Sequence, residues 1–314
     1  MFIRQISTLK NSSIANFIKV LLRGISQVIL IENAISGFLI LLAIMIYSYS
    51  LGLMALLSSF IGTVVGKLGG ADTKDIDQGL FGYNSVLTGI ALSLFLEGSF
   101  RWFIALSGAF ITSIFTAIVM HITKKIRVPA LTFPFIIVTW LILLSSYKLK
   151  ALKLSPSLVP QDLVHWKLYI SGHINWMEGV FSGIGQVFFL DHILSGVLLF
   201  LAVFWSSWKF GVLAIIGNAL ALMTAYILGA EHSLIIKGLY GYNAILTMLA
   251  VAIVFSSPQK KYSFLSGIIA TILTVPITAS ISIWLIPYGL PALTMPFVLS
   301  SWVFIGSRNI LPNL

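Results

Sequence analysis

The chain repeats itself, and this repetition limits its fold more than any other feature. Gln27-Val28, Glu32-Asn33 and Ser36-Gly37 return as Gln186-Val187, Asp191-His192 and Ser195-Gly196, 159 residues apart (27 to 186). A second block, Gly79-Leu80-Phe81-Gly82-Tyr83-Asn84, returns in the same register as Gly238-Leu239-Tyr240-Gly241-Tyr242-Asn243, and Leu87-Thr88 is matched by Leu246-Thr247. The third block, Pro129 to Phe135, is echoed by Pro291 to Phe297 at a separation of 162 (129 to 291), a register that Trp140 and Trp302 keep. Three ordered blocks at near-constant separation make the chain two copies of one structural unit.

The copies are too apolar for water. Of 314 residues, 58% are hydrophobic and 9% charged, where a soluble domain carries about a quarter charged residues. The mean hydropathy is +1.02. These values exclude a soluble enzyme, a nucleic-acid binder and a disordered chain. The net charge of +10 does not reverse that conclusion. Most of the basic residues fall in short polar breaks (Arg4 to Arg23, Lys67 to Lys74, Lys124 to Arg127, Lys148 to Lys167, Lys260 and Lys261), where they meet anionic headgroups. Nucleic acid is not an expected partner; the lipid bilayer is. Cysteine is absent, which removes disulfides, thiolate nucleophiles and Cys-based metal sites. The N-terminal stretch is basic and amphipathic without an uninterrupted apolar signal core. It reads as a helical hairpin on or in the membrane surface rather than a cleaved signal.

A helix needs about 20 apolar residues to cross the hydrocarbon. Apolar segments run near 34–50, 51–66, 80–96, 102–122 and 129–146, and again near 194–208, 210–229, 239–256, 263–286 and 292–306. Several are short or interrupted by Gly and Pro. Such backbone survives at membrane depth only where protein buries it or a polar cavity borders it, so broken helices point to a permeation path. The expected fold is an all-α polytopic membrane protein of two inverted-topology repeats, about five transmembrane helices each, plus short re-entrant pore helices. An odd number of crossings turns one copy upside down and brings matched residues together at the midplane. The expected division is 1–150 for the first repeat with its N-terminal segment, 151–172 for a polar linker, and 173–314 for the second repeat.

The repeated residues are the candidate site. Thr132 and Thr294 precede prolines suited to a first helical turn; they are helix caps or mark half-helix ends whose unpaired backbone groups face a solute. Gln27 and Gln186 face a cavity or bond between helices, since an unpartnered amide in lipid costs several kcal/mol. Glu32 and Asp191 are intramembrane carboxylates with a function, or sit at helix N-termini near the interface. Tyr83 with Leu87, and Tyr242 with Leu246, share one helix face at i, i+4. With Leu30 and Phe189 they line lipid and core, or a narrow flat-walled constriction. Asn84 and Asn243 are expected to tie off broken backbone. The spans hold no ring of acids, arginine ladder or carboxylate relay. His121, His165, His173 and His232 lack metal-ligand spacing. No nucleophile–base order or phosphate loop appears. Neither metal nor cofactor is expected, and the passage suits a small, neutral, polar molecule.

GLFGYNSVLTG at 79–89, GLYGYNAILTM at 238–248, PALTFPF at 129–135 and PALTMPF at 291–297 together resemble the urea transporter family, across nearly the whole chain. The resemblance implies a multi-pass protein of the plasma or inner membrane, two inverted five-helix repeats, both termini inside, a pore in each protomer and a homotrimer. It implies passive, selective conduction of urea, with no cofactor. Gln27, Gln186, Thr132 and Thr294 would be the polar filter positions, and Leu30, Tyr83, Leu87, Phe189, Tyr242 and Leu246 the slot. The family often has phenylalanine at slot positions; Leu30, Tyr83 and Tyr242 depart from that and leave room for related solutes such as short amides. A proton-coupled transporter of a small polar solute, using Glu32 or Asp191, is the alternative.

Overall fold

The computed structural model describes the backbone of residues 2–164, 166–256 and 262–314, with side chains from residue 14 onward. His165, Lys260, Lys261 and the side chain of Arg4 lie outside the described residues. The chain is almost wholly helical. Its first half comprises α1 (Phe2–Ser26), a 3₁₀ turn at Gln27–Ile29, α2 (Ala34–Tyr47), α3 (Tyr49–Leu68), α4 (Thr73–Asp77), α5 (Tyr83–Phe95), α6 (Arg101–Lys125) and α7 (Phe133–Ser145). The second half repeats the series: α8 (Trp176–Gly185), a 3₁₀ turn at Gln186–Phe188, α9 (Ile193–Ser206), α10 (Trp208–Ile227), α11 (His232–Ile236), α12 (Gly241–Leu249), α13 (Ser263–Leu285) and α14 (Met295–Ser307). A two-residue antiparallel ladder joins Leu96–Glu97 (β1) to Lys153–Leu154 (β2). α12 departs from α5 by running on into a π-helical turn at Ala250–Val254.

Each half holds five apolar helical units of unequal length. α3, α6, α10 and α13 are long and apolar enough to cross a bilayer. The stretches Ile14–Ile29 with α2, and Trp176–Phe188 with α9, are bent pairs that turn by 75° and 74°. α5, α7 and α14 have 13 residues, giving about 20 Å at 1.5 Å per residue, short of the roughly 30 Å hydrocarbon layer. Of these, α5 lies inside: every residue from Tyr83 to Ser93 is buried, whereas α7 and α14 keep exposed positions at Leu141, Leu144 and Val303. A helix enclosed by other helices need not match the bilayer's thickness, because its ends meet protein rather than lipid.

The bends have a local cause. Leu30 and Phe189 end their 3₁₀ turns in the left-handed region, with φ of 60° and 61°. Asn33 then starts α2 afresh, its side chain accepting from the Ile35 and Ser36 amides at 2.9 and 3.0 Å. His192 starts α9 in the same way, through Nδ1 and the Leu194 amide at 3.2 Å. The N-terminal stretch differs from the expected hairpin. α1 is one helix, and residues 2–23 contain neither Gly nor Pro to turn it.

Small and hydroxyl residues let the inner helices approach the outer ones closely, as membrane interfaces favour. Ser85 donates to the Ala109 carbonyl of α6 at 2.8 Å, and Thr88 and Thr112 lie 2.9 Å apart, hydroxyl to hydroxyl. Between the halves, α2 and α9 run antiparallel. Ser36, near the start of α2, donates to the Ala202 carbonyl near the end of α9 at 2.7 Å, while Tyr47 at the end of α2 reaches Asp191 before α9. Equivalent helices packed antiparallel place the relating axis across them rather than along them.

The loops entering α5 and α12 carry close backbone approaches. Gly79 and Gly238 have φ of +80° and +71°, and a Cβ on either would sit 2.5 or 2.3 Å from a backbone nitrogen, that of Gly24 or Gly183. Gly98 shares the left-handed backbone (φ +95°) with nothing within 4 Å. Gly98→Ala is therefore expected to carry only the conformational cost, about 1 kcal/mol. Gly79→Ala adds a steric clash, and its unfolding midpoint in detergent should fall clearly further. Equal losses would show that the approach at Gly79 relaxes.

Candidate permeation site

The site assembles where α7 and α14 begin. Both helices start after a left-handed leucine, Leu131 and Leu293, each with φ of 50°, a conformation that costs a non-glycine residue about 1–2 kcal/mol. Such a break exposes carbonyls and amides that a membrane interior cannot hydrate. The neighbouring helices supply the missing partners. Tyr83 and Tyr242 donate their hydroxyls to the Leu131 and Leu293 carbonyls at 2.5 Å. Asn84 and Asn243 donate side-chain amides to the same oxygens, at 3.3 and 3.2 Å. Asn243 also accepts from the Phe297 amide at 3.3 Å, in the first turn of α14. The two asparagines tie off broken backbone, the arrangement expected from sequence.

Thr132 and Thr294 occupy the N-cap positions of α7 and α14, but neither hydroxyl caps its helix. They lie 2.7 Å from each other, Oγ1 to Oγ1, buried to 2% and 3% exposure. The capping reading is thereby corrected: Pro134 and Pro296, early in the helices, remove one amide from the first turn, and Asn243 serves another. The threonines meet across the boundary between halves instead.

Two tryptophans lock this meeting point. Trp140 Nε1 donates to the Pro291 carbonyl at 2.9 Å, and Trp302 Nε1 donates to the Pro129 carbonyl at 2.8 Å. Reciprocal pairing is the mark of a twofold relation, since a translational repeat would give each half a different neighbour. The shared register of Trp140 and Trp302 was the available sequence signal for these clamps.

The slot candidates come together. Tyr83, Leu87 and Leu246 belong to one continuous apolar core, with Leu30, Phe189 and Tyr242 packed against it. Around Phe189 stand two more rings, Phe135 from the repeated block at 129–135 and Phe95, which no motif singled out. Phe95 meets it edge-on, with centroids 5.6 Å apart, and Phe135 lies at 6.5 Å. Phe189, Tyr242, Gln186, Asp191, Phe95 and Leu293 border one open cavity of about 1360 Å³. Gln27, Leu30 and Tyr83 do not border it. Gln27 is half-buried, and its Oε1 is enclosed with no hydrogen-bond partner among the described residues.

The carboxylates differ from the threonine pair in being open rather than enclosed by protein. Glu32 and Asp191 are both exposed, each immediately before a helix-starting cap. Asp191 Oδ1 accepts from the Tyr47 hydroxyl at 2.7 Å. Among the described residues, no group of three or more His, Asp or Glu side chains is placed to hold a metal. The arrangement can therefore offer hydroxyl, amide and carbonyl groups between apolar walls, to a solute that carries no charge.

A sequence profile described as urea transporter matches residues 18–309. The chain is also similar to urea transporter 1 of Ovis aries, 27% identical over 310 residues that cover 95% of this chain and 79% of that protein. Urea transporter 1 of Rattus norvegicus is 26% identical over 313 residues, covering 96% and 79%. A match over nearly every element just described, from late α1 to the end of α14, places the chain in the urea transporter family.

Proposed function

We propose that the protein moves urea across the membrane by passive conduction, through a narrow neutral passage at the meeting of its two repeats. The observation that carries this reading is the buried Thr132–Thr294 hydroxyl pair at 2.7 Å, flanked by helix starts whose backbone is tied off by tyrosine and asparagine. Urea is flat and uncharged, with N–H donors around one carbonyl. Oxygen and amide groups can replace its water, and apolar walls accept its faces. An ion has far more hydration to surrender and meets no compensating charge.

In this reading the repeats are 1–150 and 173–314, joined by 151–172. The polar filter positions are Gln27, Gln186, Thr132 and Thr294. Leu30, Tyr83 and Leu87 with Phe189, Tyr242 and Leu246 form the two walls. Leu30, smaller than its counterpart Phe189, leaves the first wall less aromatic and suits short amides as further solutes. Each protomer of a proposed homotrimer holds its own passage. Proton coupling through Glu32 or Asp191 is the competing reading. Their exposure at helix starts, in contrast to the buried threonines, favours the passive one.

Stopped-flow urea uptake into vesicles tests the filter. A buried hydrogen bond offered to the passing solute is worth about 1–1.5 kcal/mol, so Thr132→Val and Thr294→Val should each slow flux roughly tenfold. Unchanged flux in both variants would remove the threonines from the path. A pH gradient across the same vesicles separates the mechanisms. Urea should equilibrate without accumulating, and accumulation driven by the gradient would establish coupling.

A further inference from the structure

The segment joining the halves is fastened down along its length. β2 pairs with β1 beside the end of α5. The Gln161 amide donates to the Ile286 carbonyl after α13 at 3.2 Å. The Tyr169 amide donates to Glu231 Oε1 at 2.9 Å, and His232 Nδ1 lies 2.7 Å from the Gly172 carbonyl. The Tyr147 hydroxyl donates to the Tyr288 carbonyl at 2.9 Å. Pinned in this way, Gln161, Trp166, Lys167 and Tyr169 border the 1360 Å³ cavity.

The same bonds fix what faces outward. Whereas Leu168 borders the cavity, Val159, Val164 and Ile170 are exposed, Val164 to 85%. Because the backbone is held, these side chains cannot fold away, and an apolar patch kept open to water marks a contact surface. Its charge identifies the partner. Lys148, Lys150 and Lys153 are exposed outside the cavity lining, and Asp162 is the one acid between residues 147 and 172. Apolar residues mixed with Trp, Tyr and lysine match the headgroup layer of an anionic bilayer. Exposed apolar residues also flank the segment along the chain, Leu144 near the end of α7 and Trp176 and Met177 at the start of α8.

We infer that the joining segment is a membrane-surface strap. Its outer apolar residues rest in the headgroup layer, its lysines hold anionic lipid, and its inner side walls the vestibule that leads to Phe189 and Gln186. This inference does not depend on which solute passes.

The chain has no cysteine, so single nitroxide labels can be placed at Val164→Cys and Ile170→Cys, with Lys74→Cys as an exposed control. In phosphatidylcholine vesicles containing phosphatidylglycerol, oxygen should relax both strap labels more strongly than a water-soluble nickel chelate, the reverse of the control. Replacing Lys148, Lys150 and Lys153 by glutamine should weaken this partitioning on the order of fivefold per lysine, while removing phosphatidylglycerol should do the same to the labelled chain with its lysines intact. Nickel access equal to that of the control would overturn the strap. So would exclusion of both reagents with spin–spin broadening that disappears on dilution with unlabelled protein, because a second copy would then cover the patch. Partitioning indifferent to both the lysines and the anionic lipid would overturn the lipid assignment.

Discussion

A backbone break inside a bilayer must be satisfied by protein, because no water reaches it. That requirement organises this molecule. The breaks before α7 and α14 place left-handed leucines at the centre of the chain's two halves, and each exposes a carbonyl that tyrosine and asparagine from α5 or α12 then occupy. Those donors explain why α5 and α12 are so thoroughly buried: they must reach the break from behind. The outer helices, long enough to cross lipid, enclose the inner set and keep solvent from competing for the same oxygens.

The twofold relation is close without being complete. The tryptophan clamps and the threonine contact are reciprocal. Elsewhere the halves diverge. Ser36 bonds to Ala202, whereas Ser195 Oγ is buried with no partner among the described residues. Phe189 stands among other rings where Leu30 occupies the matching turn. The π-helical turn after α12 has Arg308 donating to the Val251 and Phe255 carbonyls at 2.8 and 2.9 Å. Backbone geometry repeats more faithfully than side-chain surroundings, because the breaks tolerate few solutions while the walls tolerate many.

Much of this was legible in the order of residues. The repeated motifs locate the breaks, since Pro beside Thr in an apolar run and Gly-Tyr-Asn before one both signal irregular backbone that lipid alone cannot accept. Element boundaries followed from apolar length, as for α2, α3 and α6. The inverted repeat foretold that Thr132 and Thr294 would converge, but not their direct hydroxyl contact: a hydroxyl before a helix usually caps it, and the meeting of two half-helices redirects both to each other. Phe95 escaped notice, since one more phenylalanine in an apolar helix carries no periodic signal, and Phe135 stood in a repeated block without its place beside Phe189 being foreseen. The continuous α1 was missed because its polar residues resemble a turn, although none of them forces one.

Two chemically identical hydroxyls 2.7 Å apart cannot share a hydrogen bond evenly. One gives its proton and the other receives, and each hydroxyl has a single proton and two lone pairs. The recipient therefore keeps a proton to offer outward, while the giver keeps lone pairs. Exchanging the roles needs only two bond rotations and leaves the energy nearly unchanged, since the surroundings are related by rotation. The threonine pair is thus a reversible dipole with no built-in polarity.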